Sequence, residues 1–234
     1  MNRRAFLTAG AAALAFLPRR IAAQAKIPYG QTPLGLSDDG RDGVLYVPKS
    51  YREGTAMPLL MMLHGFAGWG DGQRGMFALA EELGIIVIAP ESRDVTWGKE
   101  APGFDADVRY LGAAYRHVTS ILDVDGERIG LGGQSDGAGY ALTMGLAYGD
   151  IFNHLIVLAG GALIEPLRRK GKPKIYFVHG VKDTTMPIDP SARRTVRLLK
   201  DDYDVTLREH EGGHRTPPEL TREAIQWLLS TPVK

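Results

Sequence analysis

The chain has 234 residues, of which 44% are hydrophobic and 24% charged, proportions that are typical of one globular domain. It contains no cysteine, which excludes disulfides, thiolate metal sites and a cysteine nucleophile. Lysine and arginine (28) nearly balance aspartate and glutamate (27), and the one dense basic run lies at residues 168–174. Nucleic acid is therefore not expected as a partner, because phosphate contacts need many more clustered cations.

The first 25 residues resemble a twin-arginine export signal. Arg3 and Arg4 precede an apolar run at residues 5–17, which is too short to span a bilayer, and Ala-Gln-Ala offers a cleavage site before Lys26. We expect residues 1–25 to be removed after transient contact with the twin-arginine machinery, leaving a periplasmic or secreted domain of residues 26–234 without stable membrane insertion. The alternatives are an uncleaved N-terminal helix that tethers the protein to the inner membrane, or a basic start that arises by chance.

Cleavage would also change the charge of the protein. Residues 1–25 contain four arginines and no acidic residue, so their loss changes the formal net charge from +1 to −3.

The remaining sequence alternates short apolar runs with longer helical patterns, which predicts a mostly parallel sheet with helices on both faces. Strands are expected at residues 44–47, 59–63, 85–89, 129–132, 155–159, 175–178 and 205–209. Helices are expected at residues 76–83, 105–122, 138–148, 192–199 and 220–229. No connection is long enough for a separate lid domain. The longest irregular stretch, residues 91–104, is expected to border the functional site.

The strongest motif is Gly133-Gln134-Ser135-Asp136-Gly137, a G-x-S-x-G sequence between a predicted strand and a predicted helix. A serine at such a sharp turn projects its hydroxyl above the sheet, as in the α/β-hydrolase fold. Gly133 and Gly137 provide space for the strained backbone, and the start of the helix favours developing negative charge. The sequence therefore predicts Ser135 as a nucleophile.

A second turn, His64-Gly65-Phe66, follows the predicted strand at residues 59–63. Acyl transfer needs backbone N–H groups directed at the oxyanion. We expect one from Phe66 and the other from Asp136, the residue after the nucleophile. An ordinary strand-to-loop turn is the alternative interpretation of His64-Gly65.

The serine also needs an imidazole as general base. Of the six histidines, His64 belongs to the oxyanion turn, and four others, at 117, 154, 179 and 210, lie in helical or strand patterns where a packing or scaffold role is expected. His214 lies in a glycine-rich turn after the last predicted strand, and this flexible turn can carry its ring to Ser135. His214 is the predicted base.

The acid that orients the base is expected after the preceding strand. Asp183 lies at that position, although it could also be a simple turn residue. Asp189 is the alternative acid, with a helix N-cap as its other explanation. Glu209 and Glu211 are less favoured because they lie too near His214 in sequence.

Together, His64-Gly65-Phe66, Gly133-Gln134-Ser135-Asp136-Gly137-Ala138, His179-Gly180-Val181-Lys182-Asp183 with Pro187, and Gly213-His214 resemble the phospholipase/carboxylesterase family of compact α/β hydrolases. Polyhydroxybutyrate depolymerases and feruloyl esterases share similar motifs. The resemblance covers most of residues 26–234 and implies ester hydrolysis without a metal or organic cofactor, with Ser135, Asp183 and His214 as the triad. One departure is Asp136, where many members have Gln or Asn. Its carboxylate, close to the oxyanion, would tune the pH dependence.

Four further side chains are candidates for substrate contacts: Trp69, Trp97, Tyr140 and Met186. Each has core packing as its alternative explanation. An open site with aromatic walls favours short-chain or aryl esters, so the expected partner is a small-molecule ester. A polyester depolymerase, a thioesterase, a serine peptidase and a catalytically silent binding protein remain as alternatives.

Overall fold

A computed structural model describes residues 27–38, 40–98, 106–163 and 168–230. Its centre is an eight-stranded sheet in the order β1-β2-β4-β3-β5-β6-β7-β8, in which β1 and β2 are antiparallel and the other six strands are parallel. The strands are β1 (Gly30–Pro33), β2 (Gly43–Val47), β3 (Met57–Leu63), β4 (Ile86–Pro90), β5 (Val124–Gln134), β6 (His154–Leu158), β7 (Lys174–Gly180) and β8 (Val205–His210).

Helices cover both faces of this sheet. They are α1 (Arg74–Leu83), α2 (Ala106–Ile121), α3 (Asp136–Ala147), α4 (Arg194–Leu199) and α5 (Pro218–Ser230), with a 3-10 turn at Gly70–Gln73 and a π-helical turn at Asp189–Arg193. Buried residues of α1 and α5 belong to one apolar cluster, and those of α2, α3 and α4 belong to another. The predicted mostly parallel sheet, with helices on both faces, is confirmed.

The seven predicted strands and five predicted helices all occur, with shifts at their ends. The largest shift is in β5, which begins at Val124 and not at residue 129. The sequence did not predict β1, because its residues, Gly-Gln-Thr-Pro, carry no apolar pattern and are at most half buried. Pairing with β2 alone forms this edge strand.

The parallel arrangement brings the carboxyl ends of the central strands to one edge of the sheet. The turn after β3 and the turn between β5 and α3 are neighbours there, since Leu63 pairs with Gly133. The segments after β7 and β8 are also neighbours, since Gly180 pairs with His210. Residues from four connections can therefore meet above this edge.

Two sequence predictions fall partly or wholly outside the described residues: the export signal at 1–25 and the end of the irregular stretch at 91–104. Within the described part of the chain, no helix has the length and apolar character needed to cross a membrane.

Candidate active site

Ser135 occupies a strained turn between β5 and α3. Its φ of 55° and ψ of −119° are rare for a residue with a side chain, and such a conformation costs on the order of 1–3 kcal/mol. The Ser135 N–H donates to the Leu158 carbonyl at 2.9 Å, which ties the turn to the end of β6. The sheet therefore stabilises the strained conformation of Ser135, and this conformation exposes the serine hydroxyl at the edge of the sheet.

The glycines of the motif are required by close backbone contacts. A Cβ at Gly133 would lie 2.3 Å from the carbonyl carbon of Gly137, and a Cβ at Gly137 would lie 2.2 Å from the His64 carbonyl oxygen. Neither position can accept a side chain without movement of the backbone. The turn that carries Ser135 thus packs directly against the turn that follows β3.

Three side chains predicted from separate parts of the sequence form one hydrogen-bonded chain. Ser135 Oγ lies 2.8 Å from His214 Nε2, and His214 Nδ1 lies 2.8 Å from Asp183 Oδ2. The carboxylate accepts a hydrogen bond from the Nδ1–H group of His214, which leaves the Nε2 lone pair for the serine hydroxyl. This is the arrangement in which an imidazole can remove the hydroxyl proton.

Asp183 is buried, and its two oxygens have different partners. Oδ1 accepts the N–H groups of Thr185 and Met186 at 2.9 and 2.8 Å, whereas Oδ2 faces His214. Burial alone raises the pKa of the Asp183 carboxyl, but the Met186 N–H, His214 and the Thr185 N–H together hold the pKa below its ordinary value. Asp183 is therefore an anion at neutral pH.

A second histidine contacts the same carboxylate. His179 is fully buried, and its Nε2 lies 2.8 Å from the Met186 carbonyl and 3.2 Å from Asp183 Oδ2. Its Nδ1 lies 3.1 Å from the Gly160 carbonyl. From the sequence we expected His179 only to support the turn after β7. The structure shows that its ring also links β7 to the Asp183 turn and to the segment after β6.

His64 organises the oxyanion turn through its backbone and its ring. Its carbonyl accepts the Trp97 indole N–H at 2.8 Å, its Nε2 accepts the Ser92 N–H at 3.0 Å, and its Nδ1 donates to the Gly65 carbonyl at 2.7 Å. Burial lowers the pKa of the His64 imidazole, so the ring is neutral at neutral pH. His64 therefore braces the turn and does not contribute charge.

The two residues predicted to donate to the oxyanion, Phe66 and Asp136, both lie close to Ser135. A Cβ at Gly65 would lie 3.4 Å from the Ser135 Cβ, so the Gly65–Phe66 backbone passes beside the hydroxyl. Among the described residues, no acceptor takes the Phe66 N–H. Asp136 is the first residue of α3, where N–H groups have no intrahelical acceptor. The Asp136 carboxylate accepts the Thr96 hydroxyl.

Two cavities meet at Ser135. A cleft of about 490 Å³ lies on the side of His214, and its walls include Phe66, Trp69, Gln134 and Thr185. A pocket of about 250 Å³ lies on the other side and is lined by Trp97, Gly98, Asp136, Gly139, Tyr140, Ala162 and Met186. Trp69, Trp97, Tyr140 and Met186, which the sequence offered as substrate contacts, thus border these cavities. Gln134, Thr185 and Ala162 were not predicted, because no local pattern marks them.

The alternative acids are engaged elsewhere. Asp189 pairs with Arg193 Nη1 at 3.1 Å, and Glu209 pairs with the same guanidinium through Nε and Nη2 at 2.7 Å. Asp189 is not an N-cap, since Ile188 occupies that position of the π-helical turn without a side-chain hydrogen bond. Glu211 faces the Lys182 ammonium at 3.3 Å.

The remaining histidines have local partners or positions. His154 is buried beside Asn153 and packs edge-on against Trp227, and His210 accepts the Gly212 N–H at 3.0 Å. His117 is half-buried on α2. Within the described ranges, no three acidic or histidine side chains are grouped so that they could hold a metal ion.

Comparisons with known proteins support the fold. No protein-family model and no curated protein sequence matches this chain. Among solved structures, S-formylglutathione hydrolase from Staphylococcus aureus is 16% identical with a TM-score of 0.66, covering 81% of this chain and 93% of its own. A fluorophosphonate-binding serine hydrolase from the same organism is 18% identical with the same TM-score, covering 82% and 93%.

A ferulic acid esterase from Anaeromyces mucronatus is 16% identical with a TM-score of 0.64, covering 82% of this chain and 85% of its own. At these identities the comparisons bear on architecture. Together with the sheet order and the strained serine turn, they show that this chain has the α/β-hydrolase fold.

Proposed function

We propose that the protein is a serine esterase that hydrolyses carboxylic esters through an acyl-enzyme on Ser135. The observation that carries the proposal is the continuous hydrogen-bonded chain from Ser135 through His214 to Asp183, which opens on two cavities. The names of the compared structures, which include hydrolases and an esterase, agree with this reaction class.

The first half of the reaction acylates Ser135. As Oγ attacks the ester carbonyl carbon, His214 Nε2 takes the hydroxyl proton, and the carbonyl oxygen becomes an oxyanion that accepts the N–H groups of Phe66 and Asp136. Asp183 stabilises the imidazolium that forms. When the tetrahedral intermediate collapses, the bond to the alcohol oxygen breaks and His214 returns the proton to that oxygen.

The second half regenerates the enzyme. A water molecule takes the place of the alcohol, His214 removes its proton, and the hydroxide attacks the acyl carbon. The bond to Ser135 Oγ then breaks, the serine regains its proton from His214, and the carboxylic acid leaves. All proton transfers pass through one imidazole, and no further reactant is needed.

The cavities favour small esters over bulk lipid as substrates. Phe66 and Trp69 are exposed at 68% and 49% of their surface beside the cleft, and the smaller pocket is walled by Trp97, Tyr140 and Met186. Esters with a short acyl chain, aryl esters among them, fit an open site with aromatic walls. Among the described residues, no feature of the site favours a peptide, a thioester or a polyester over these esters.

The nucleophile is tested with Ser135→Ala. We expect kcat for an aryl ester to fall by about three orders of magnitude or more, because the covalent step needs the hydroxyl, while the thermal unfolding midpoint is retained. Ser120→Ala, which removes an exposed hydroxyl of α2, is the matched control and keeps full activity. Retention of more than a tenth of wild-type turnover in Ser135→Ala would exclude Ser135 as the nucleophile.

The acid is tested by comparing Asp183→Asn with Asp189→Asn. An amide at 183 offers one oxygen to the Thr185 and Met186 N–H groups, so its NH2 faces His214 and favours the wrong tautomer. We expect turnover to fall by about four orders of magnitude. Asp189→Asn weakens only an exposed ion pair and should leave the thermal unfolding midpoint nearly unchanged. An active Asp183→Asn beside an inactive, folded Asp189→Asn would transfer the role to Asp189.

His179 is tested with two amides that each mimic one ring nitrogen. The amide of His179→Gln reaches the position of Nε2, near Met186 and Asp183, whereas that of His179→Asn reaches only the position of Nδ1, near Gly160. His179 contacts Asp183 through Nε2, which only the glutamine amide can replace. We therefore expect kcat of His179→Gln to be several-fold higher than that of His179→Asn at equal thermal stability. The opposite order would show that the contact with Gly160 matters more than the contact with Asp183.

Export is a separate proposal, supported by the sequence alone. We propose that residues 1–25 direct the folded protein through the twin-arginine route and are then removed. Arg3→Lys with Arg4→Lys should block export, measured by fractionation and N-terminal sequencing, whereas the same change at Arg19 and Arg20 serves as the charge-matched control. Normal export of the Arg3/Arg4 variant, or periplasmic protein that begins at Met1, would contradict the proposal.

A further inference from the structure

The two cavities at Ser135 are not equivalent with respect to proton transfer. His214 lines the larger cleft, together with Phe66 and Trp69, and does not line the smaller pocket at Trp97 and Tyr140. The leaving oxygen must receive its proton from His214 Nε2, so the alcohol part of an ester has to lie on the His214 side. The larger cleft is therefore the leaving-group cleft, and the smaller pocket is the acyl pocket.

The leaving-group cleft borders a third cavity. This cavity, the α1–α5 groove, has a volume of about 600 Å³ and shares Gly72, Gln73 and Gln134 with the cleft. The acyl pocket shares none of these residues and measures about 250 Å³. Among the described residues, the larger space therefore lies on the leaving-group side of the reacting bond.

The walls of the α1–α5 groove expose more apolar than polar surface. They include Met62 of β3, Met76 and Leu79 of α1, and Leu158 of β6, all of which belong to the buried apolar residues. At the groove, Glu82 and Arg222 form a two-pronged ion pair with each other, so that neither presents an uncompensated charge. Glu219, Thr216 and Thr221 also line the groove, so an alkyl chain would lie along the apolar part of its walls.

Resting on the proposed esterase function, we propose that the preferred substrates are esters of a compact acyl group with a long apolar alcohol. The acyl group occupies the acyl pocket, and the alcohol runs through the leaving-group cleft into the α1–α5 groove. Each methylene of the alcohol that is buried there should raise kcat/KM by about two- to fourfold until the groove is filled.

Isomeric esters test this asymmetry at constant composition and hydrophobicity. Octyl acetate places the long chain in the alcohol, and ethyl octanoate places it in the acyl group. After correction for their rates of alkaline hydrolysis, we expect kcat/KM for octyl acetate to exceed that for ethyl octanoate by about tenfold or more. Equal values, or a preference for ethyl octanoate, would overturn the inference.

A steric block of the groove identifies where the chain lies. Gly75 of α1 is exposed, lines the groove, and has no atom within 4 Å of an added Cβ, so Gly75→Trp can fill the groove without straining the backbone. We expect the ratio of kcat/KM for octyl acetate to that for ethyl acetate to fall about tenfold. Arg74→Trp adds the same side chain one residue earlier on the same helix, outside the groove, and should leave the ratio unchanged.

Equal ratios in the wild-type protein and both variants would show that the alcohol does not use the groove. Turnover of ethyl acetate by the wild-type protein separates the two levels of the account. If ethyl acetate is hydrolysed but chain position has no effect, only the substrate preference fails. If no ester is hydrolysed, the proposed function fails as well.

Discussion

The contact between two backbones, where Gly137 meets the His64 carbonyl, is the constraint on which the site depends. A Cβ would stand 2.2 Å from that oxygen, so α3 and the end of β3 approach as closely as main chains can. The strained Ser135 turn and the Gly65–Phe66 turn are therefore held at a separation set by the sheet and not by mobile side chains. Fixed donors of this kind lower a barrier because they need no rearrangement when the oxyanion forms.

Electrostatics completes the site from the opposite side. Asp183 remains ionised although it is buried, because two backbone N–H groups and His214 compensate the desolvation of its carboxylate. The pKa of Asp183 in the folded state lies below the ordinary value for an aspartate. The ionised carboxylate therefore stabilises the fold at every pH above that ordinary value. This contribution is lost as the pH falls through the folded-state pKa. Asp183, which orients His214, therefore also stabilises its own turn at residues 183–186.

Much of this architecture could be predicted from the sequence, since buried parallel strands and amphipathic helices leave strong apolar patterns. The Ser135 turn could also be predicted from the sequence. A tight turn between a strand and a helix leaves no space for side chains, so glycines are required on both sides of the serine. Edge strand β1 escaped prediction because it is polar and half-exposed. Asp189 could not be separated from Asp183 by position, although its i,i+4 spacing to Arg193 was a signal of the ion pair that occupies it.

The cavities were harder to predict from the sequence than the triad. Gln134 ends β5, whereas Ala162 and Thr185 follow β6 and β7, and only the folded chain shows which of them lie near His214. The same is true of the groove, whose walls combine α1, α5 and the ends of β3 and β6. Local patterns identify reacting groups because chemistry restricts residue types, whereas the shape of a binding surface depends on side chains that are distant in sequence.

Identification of the covalent intermediate tests the central claim most directly. Acid quenching of the protein during turnover of p-nitrophenyl butyrate, followed by proteolysis and mass spectrometry, would locate the acyl group. The account predicts one butyryl group, carried by Ser135 on the peptide that contains Gly133-Gln134-Ser135-Asp136-Gly137. Butyryl on another residue with Ser135 unmodified, or turnover in which Ser135 is never acylated, would contradict it.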